Sequence, residues 1–102
     1  MVLLSGPHMG GNVWKYVKEC LDTGWVSSVG SYVDEFEKMT AAFAGTQYAV
    51  ATSSGTTALH ISLILAGVDS DDLVITQNIT FVATCNAIRY TGAHPVFIDA
   101  NK

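Results

Sequence analysis

The chain has 102 residues, of which 49% are hydrophobic and 14% are charged, and its net charge is −4. Five scattered basic residues argue against a nucleic-acid partner, which needs clustered Lys and Arg to contact phosphates. No basic-then-apolar leader opens the chain, and no apolar run reaches the roughly 18 residues of a membrane span. We therefore expect a cytoplasmic protein with no membrane partner. The large apolar share also predicts a segment that packs against more protein.

The first part of the chain is predicted to be an arm followed by two helices. Residues 1–11 contain Gly and Pro without apolar periodicity, which predicts an extended arm. Asn12 is a predicted N-cap, and apolar residues then recur at helical spacing as far as Gly24, a fitting C-cap. Residues 25–30 have the composition of a loop, and a second helix is predicted over residues 31–44.

The remainder is predicted to alternate, in the order strand 48–52, helix 57–66, strand 73–76, helix 81–90 and strand 95–98. This order implies right-handed crossovers and a mostly parallel sheet with flanking helices, which is an α/β fold. The helix at 57–66 is apolar nearly all round, so burial on several sides is expected. Three strands make an incomplete sheet, which predicts a fragment or an obligate partner of more protein.

The best local signal for chemistry is the small-residue turn 52–56, between a strand and a helix. The first N–H groups of a helix lack partners and the positive end of its dipole lies there, so a phosphate binds well at such a place. Gly55 lets the anion approach the backbone, and Ser54 and Thr56 can add hydroxyl donors. The alternative is an ordinary capped turn. A P-loop Lys and a three-glycine dinucleotide fingerprint are both absent.

Six segments in this order form a set: Gly24-Trp-Val-Ser-Ser-Val-Gly30, Phe36-Glu37, Ser53-Ser-Gly-Thr-Thr-Ala-Leu-His60, Thr80-Phe-Val-Ala-Thr84, Asn86-Ala-Ile88 and Gly92-Ala-His-Pro-Val-Phe-Ile-Asp99. Together they resemble the DegT/DnrJ/StrS family, whose members are nucleotide-sugar aminotransferases dependent on pyridoxal 5'-phosphate (PLP). The first segment is similar to the LegC-like and perosamine-synthase-like branches.

This resemblance implies a fold and a coenzyme site. Residues 31–102 would form the first part of the PLP-binding large domain of fold type I, after an arm, helix and loop in residues 1–30. The phosphate would bind at Ser54, Gly55 and Thr56, and the pyridine ring would stack on Phe81, whose flat apolar face excludes water. Without the resemblance, Phe81 would be a plain core aromatic.

The resemblance also implies a function. The full-length protein would be a homodimer that transfers an amino group from glutamate to a nucleotide-linked keto sugar, for surface polysaccharide or nonulosonic-acid biosynthesis. The loop 25–30 would contact the nucleotide sugar or a second subunit, with Trp25 and Ser28 as substrate residues; the alternative packs Trp25 in its own core. Two other functions stay open: a PLP-dependent sugar dehydratase of the same family, and a non-catalytic truncated or regulatory module.

We assign no catalytic residue. In the family, the Schiff-base lysine and the carboxylate that protonates the pyridine nitrogen lie beyond residue 102, so the fragment alone is expected to be inactive. The lysines of this chain are Lys15, Lys18 and Lys38 on amphipathic helices and Lys102 at the last position. Asp99 follows a strand, which is a common place for a catalytic carboxylate, but it is not the family's pyridine partner.

No metal site is expected. Cys20 and Cys85 lie far apart without CxxC spacing, which favours two reduced buried thiols. No two of the three histidines have metal-ligand spacing. We expect His60 to be a helix residue held by a neighbour.

Overall fold

The computed structural model describes residues 5–100 and shows four helices and two strands in that range. They are α1 (Val13–Thr23), α2 (Ser31–Ala44), α3 (Gly55–Leu65), β1 (Leu73–Gln77), α4 (Val82–Tyr90) and β2 (His94–Ile98). The α/β class is confirmed. Contacts divide the chain into two compact units, Met1–Ala51 and Thr52–Lys102. The predicted boundary between residues 1–30 and residues 31–102 refers to the large domain of the full-length protein, and it stays a prediction.

The helices of the first unit end where the sequence predicts. Gly24 and Gly45 follow α1 and α2 in the left-handed conformation, with φ of 74° and 68°, which glycine adopts without strain. At the start of α1, Asn12 occupies the N-cap position, but its side chain makes no capping hydrogen bond. The start of α1 was therefore predicted correctly, but the Asn12 side chain does not form the capping hydrogen bond expected of an N-cap residue.

Aromatic and polar contacts, rather than a buried core, join α1 to α2. The rings of Tyr16 and Tyr32 meet edge to face with centroids 5.1 Å apart. The Tyr32 hydroxyl also donates a hydrogen bond of 2.7 Å to the Glu19 carboxylate. Within the described residues of this unit, Ala41 is the one buried apolar side chain.

The second unit is built around a parallel strand pair. β1 and β2 pair in register from Leu73 with His94 to Gln77 with Ile98, and α4 forms the crossover between them. The core consists of small and medium apolar side chains, namely Ala87, Ile88 and Ala93. β1, α4 and β2 therefore form the βαβ arrangement that the sequence predicts.

The predicted strand at 48–52 is wrong as a sheet strand. These residues form no ladder in the described chain, and the main-chain N–H of Ala51 instead donates to the Glu37 carboxylate at 2.7 Å. A strand is defined by its partner, and an apolar run of five residues does not specify one. The prediction for α3 also needs correction at its start, because the helix begins at Gly55 and not at Thr57.

The apolar surface of α3 is largely uncovered. Within the second unit α3 packs against α4 and against neither strand, so Ile64 and Leu65 remain 53% and 82% exposed. The expected burial on several sides is therefore not found in this chain. None of the helices in residues 5–100 has the length and apolar character that crossing a membrane requires.

Candidate active site

The turn before α3 is organised by one serine. Ser54 has extended backbone angles (φ −162°, ψ 161°), and its hydroxyl oxygen accepts a hydrogen bond from the Thr57 N–H at 3.3 Å. The Ser54 and Thr57 hydroxyls also lie 3.1 Å apart. Ser54 is therefore an N-cap of the ordinary kind, which fixes the direction in which the helix begins.

The two N–H groups that follow are left for a ligand. Among residues 5–100, no protein acceptor pairs with the N–H groups of Gly55 and Thr56. A Cβ atom built on Gly55 would meet no atom within 4 Å, so the space beside the helix start is open. Unpaired donors, the positive end of the helix dipole and room for an anion therefore coincide at this turn.

One open cavity of about 650 Å³ brings the predicted coenzyme residues together. It is lined by Ser54, Gly55, Thr56, Ala58, Leu59, Phe81, Ala83 and Thr84. The polar groups come from the start of α3 and from Thr84 on α4, and the rest of the wall is mainly apolar. The turn and the aromatic ring, which are separated by 25 residues of sequence, thus face the same space.

Phe81 owes its place to the start of α4. It occupies the N-cap position with extended backbone angles (φ −69°, ψ 139°), and its ring is 80% exposed. The alternative of a plain core aromatic is therefore not what the described chain shows. An exposed ring at the wall of a cavity offers one flat face to a ligand.

Thr84 is a cavity residue that the sequence reasoning missed. Its hydroxyl lies 3.1 Å from that of Thr80, and both belong to one of the segments that carried the family resemblance. The signal was available, because Thr84 lies three residues after Phe81 in the predicted helix 81–90, and residues three apart on a helix lie on the same face. Ala58 and Leu59 on α3 complete the wall but have no comparable signal in the sequence.

The residues present fit PLP. Its phosphate requires hydrogen-bond donors in a positive field, which the N–H groups of Gly55 and Thr56 and the α3 dipole provide. Its ring requires a flat apolar contact, which Phe81 offers at the same cavity. The fit rests on this chain's own donors, open space and exposed ring.

The predicted substrate loop lies in the first unit beside a second cavity, of about 300 Å³. Trp25 lines it and is 58% exposed, so Trp25 is not packed in a core within the described chain. Ser27 lines the same cavity, whereas Ser28 is exposed outside it. The substrate assignment of Trp25 and Ser28 stays a prediction.

The wall of this second cavity contains a polarised tyrosine. The hydrogen bond to Glu19, together with partial desolvation and the negative charge of that carboxylate, raises the pKa of Tyr32 to about 12. The neutral hydroxyl is favoured because it donates to a carboxylate that would repel a phenolate. The one hydroxyl proton of Tyr32 is donated to Glu19, so towards any other group Tyr32 offers an acceptor oxygen.

The other singled-out residues lie where no chemistry is assigned. Lys15, Lys18 and Lys38 are exposed on α1 and α2, and Lys102 lies outside the described residues. The His60 ring on α3 contacts the Tyr90 ring edge to face with centroids 5.6 Å apart. Cys20 and Cys85 are free thiols, but each is partly exposed and not buried as expected. In residues 5–100, no group of three or more His, Cys, Asp or Glu could hold a metal.

A family model described as the DegT/DnrJ/EryC1/StrS aminotransferase family matches residues 7–102. The chain belongs to this family. The matched residues include the turn at the start of α3 and Phe81. The family prediction made from the six sequence segments is therefore confirmed.

Two named relatives support this family membership. Two proteins named GDP-perosamine synthase are similar to this chain: that of Caulobacter vibrioides is 43% identical over 98 residues, and that of Escherichia coli O157:H7 is 44% identical over 96 residues. These matches cover 96% and 94% of this chain, but only 26% of either relative. The chain thus spans about a quarter of the length of the relatives that it matches.

A solved structure shows the same fold. A protein of Streptococcus pneumoniae, assigned as a sugar aminotransferase and solved in its PLP form, has a TM-score of 0.86 and is 29% identical. The match covers 98% of this chain and 25% of that protein. The predicted placement in the first part of the large domain of the PLP-transferase fold is therefore confirmed at the level of the fold.

Proposed function

We propose that the full-length protein is a PLP-dependent aminotransferase that transfers the amino group of glutamate to a nucleotide-linked keto sugar. The observation that carries this proposal is the cavity shared by Ser54, Gly55, Thr56 and Phe81, in a chain that belongs to an aminotransferase family. The net reaction converts glutamate and the keto sugar into 2-oxoglutarate and the amino sugar.

In this proposal the chain's own residues bind and orient the coenzyme. The N–H groups of Gly55 and Thr56 donate to the phosphate, while Ser54 holds the helix start in place by accepting from Thr57. Phe81 covers one face of the ring and excludes water from it. When bound, PLP supplies the electron sink and the carrier for the amino group.

The substrate class is supported by the names of the relatives. Both GDP-perosamine synthases carry a guanosine nucleotide in their name, so a GDP-linked keto sugar is the first substrate to test. Trp25 and Ser28 would contact this substrate, and the Tyr32 hydroxyl oxygen, whose proton is donated to Glu19, adds an acceptor beside Trp25. A homodimer in the cytoplasm, acting in polysaccharide biosynthesis, completes the proposal.

The proposal is tested in the full-length protein, incubated with PLP, glutamate and a GDP-linked keto sugar. We expect saturable uptake of PLP with a visible absorption band, and formation of 2-oxoglutarate that requires the sugar. Soluble protein that takes up no PLP would contradict the proposal. Uptake of PLP without 2-oxoglutarate would favour the non-catalytic or dehydratase alternative.

A further inference from the structure

The loop that carries Phe81 is short, and its large apolar side chains are not packed. It connects β1, which ends at Gln77, to α4, which begins at Val82. Two large apolar side chains of the loop, Ile79 and Phe81, are 73% and 80% exposed. Since packing contributes little there, the polar contacts at its two ends must determine the position of the Phe81 backbone.

The end of the loop near α4 is held by threonine. The hydroxyls of Thr80 and Thr84 lie 3.1 Å apart, and the Thr84 N–H donates to the Phe81 carbonyl at 3.0 Å. These contacts fix the loop relative to α4. They do not fix it relative to the strand pair, which has to be done from the other end.

The end near the sheet is held by Asn78 and Asp99. The Asn78 main-chain N–H donates to the Ile98 carbonyl at 3.1 Å and so extends the ladder by one residue. The Asn78 side-chain amide donates to Asp99 Oδ1 at 3.2 Å, and the same oxygen accepts from the Ala100 N–H at 2.9 Å. One carboxylate oxygen therefore joins the residue after β1 to the residues after β2.

The parallel register explains why this pair can form. Gln77 lies opposite Ile98 in the last step of the ladder, so the next residue on each strand, Asn78 and Asp99, leave the same edge side by side. The carboxyl ends of parallel strands meet at one edge of a sheet, where ligands of α/β folds bind. Although 21 residues separate the two in sequence, the sheet makes them neighbours.

We propose that Asp99 is a positioning residue for the coenzyme ring: its carboxylate holds Asn78, and through the loop 78–81 it fixes where Phe81 presents its face. This inference rests on the proposed function, because it assumes that Phe81 stacks on the coenzyme. Asp99 contacts neither coenzyme nor substrate in this role.

The test uses the full-length protein and two measurements, amide hydrogen exchange of residues 78–81 without coenzyme, and the dissociation constant for PLP. We expect Asp99→Ala to raise both the exchange rate and the dissociation constant about fivefold, which is the usual effect of one lost hydrogen bond. Asp99→Asn retains an acceptor oxygen and should keep both values within about twofold of the original. Asp71→Ala, in the exposed loop before β1, is the matched control for loss of one carboxylate.

A double variant checks that the two side chains act as one. Asn78→Ala alone should have the same effect as Asp99→Ala, and combining the two should add little, because either substitution removes the same contact. Asn78→Ala also keeps the test available if Asp99→Ala fails to fold.

Distinct results overturn distinct claims. Unchanged exchange in Asp99→Ala, or an equal loss in Asp99→Asn, overturns the positioning role even if the protein binds PLP. Faster exchange with an unchanged dissociation constant also overturns it, since the loop would then not position the ring. A wild-type protein that binds no PLP but shows the expected exchange pattern contradicts the proposed function, and with it the coenzyme role of Asp99, while the loop contact itself stands.

Discussion

Each of the two units of this chain is held together internally by a different kind of contact. Thr52–Lys102 contains a parallel strand pair with α4 across it and a small buried core around Ile88. Met1–Ala51 contains two helices that meet through Tyr16, Tyr32 and Glu19, and its described residues bury little apolar surface. The difference also separates the candidate sites, because the cavity with Phe81 belongs to the former and the cavity with Trp25 to the latter.

Each unit forms its candidate ligand site in a different way. The carboxyl ends of β1 and β2 lie at one edge of the sheet, so the backbone topology determines where Phe81 and its supporting residues lie. The helix pair has no such edge, and its cavity depends on individual side-chain contacts such as that between Tyr32 and Glu19. We therefore expect substitutions to affect stability most in the second unit and local titration most in the first.

The largest effect is expected at Ile88, the one fully buried large side chain of the described chain. In the full-length protein, Ile88→Ala should lower the free energy of unfolding by about 3 kcal/mol, because it leaves a cavity in the core. Ile88→Val is the matched control and should cost about 1 kcal/mol. Denaturant unfolding measures both. A loss below that of the Val variant would show that α4 is not packed as described.

Two glycines of the second unit should separate binding from stability. Gly55→Ala places a methyl group in open space at the helix start, so stability should hold. The methyl group would occupy the space through which the phosphate approaches the Gly55 N–H, so one charge-assisted hydrogen bond is weakened and the dissociation constant for PLP should rise about tenfold. Gly92→Ala is the contrasting variant: with φ of 90° and a Cβ 3.0 Å from that of Ser70, it should cost about 2 kcal/mol of stability. Coenzyme titration and denaturant unfolding measure the two effects. Equal PLP affinity in Gly55→Ala would remove Gly55 from the phosphate site.

A smaller effect is expected at the Phe81 ring. Phe81→Leu keeps an apolar side chain but removes the flat face, so the dissociation constant for PLP should rise about fivefold. Phe43→Leu makes the same change on an exposed position of α2 and should leave PLP affinity unchanged. Fluorescence titration of the full-length protein measures both. An unchanged value in Phe81→Leu would mean that the ring binds elsewhere.

The smallest effect concerns the titration of Tyr32 in the first unit. Replacing Glu19 by Ala removes the acceptor that raises the pKa of Tyr32 from 10.0 to about 12, so the pKa should return towards 10.0. Because the pKa is raised in the folded chain, the contact stabilises fully below pH 10.0 and its contribution is lost as the pH rises towards 12. Ultraviolet absorption of the phenolate follows the titration, with Tyr32→Phe assigning the signal. A Tyr32 pKa that stays near 12 without Glu19 would locate the cause elsewhere.

The sequence predicts much of the candidate site, because the features that indicate it lie in neighbouring residues. The anion-binding turn predicted at Ser54, Gly55 and Thr56 rests on residue type and position alone, and the helix ends at Gly24 and Gly45 follow from backbone freedom. The strand expected at 48–52 was not predictable in this way, because pairing depends on residues far along the chain. Thr84 was not predicted, although it lies three residues after Phe81 in the predicted helix 81–90.

The sequence by itself determined the family and the ends of α1 and α2, and it predicted the coenzyme turn, since caps, periodicity and ordered motifs are properties of neighbouring residues. Only the tertiary structure decided that Phe81 faces the cavity of that turn and that Asp99 contacts Asn78. Both facts depend on the parallel register of β1 with β2 and on the packing of α4 against α3. Register and packing are relations between distant segments, which no local pattern of residues specifies.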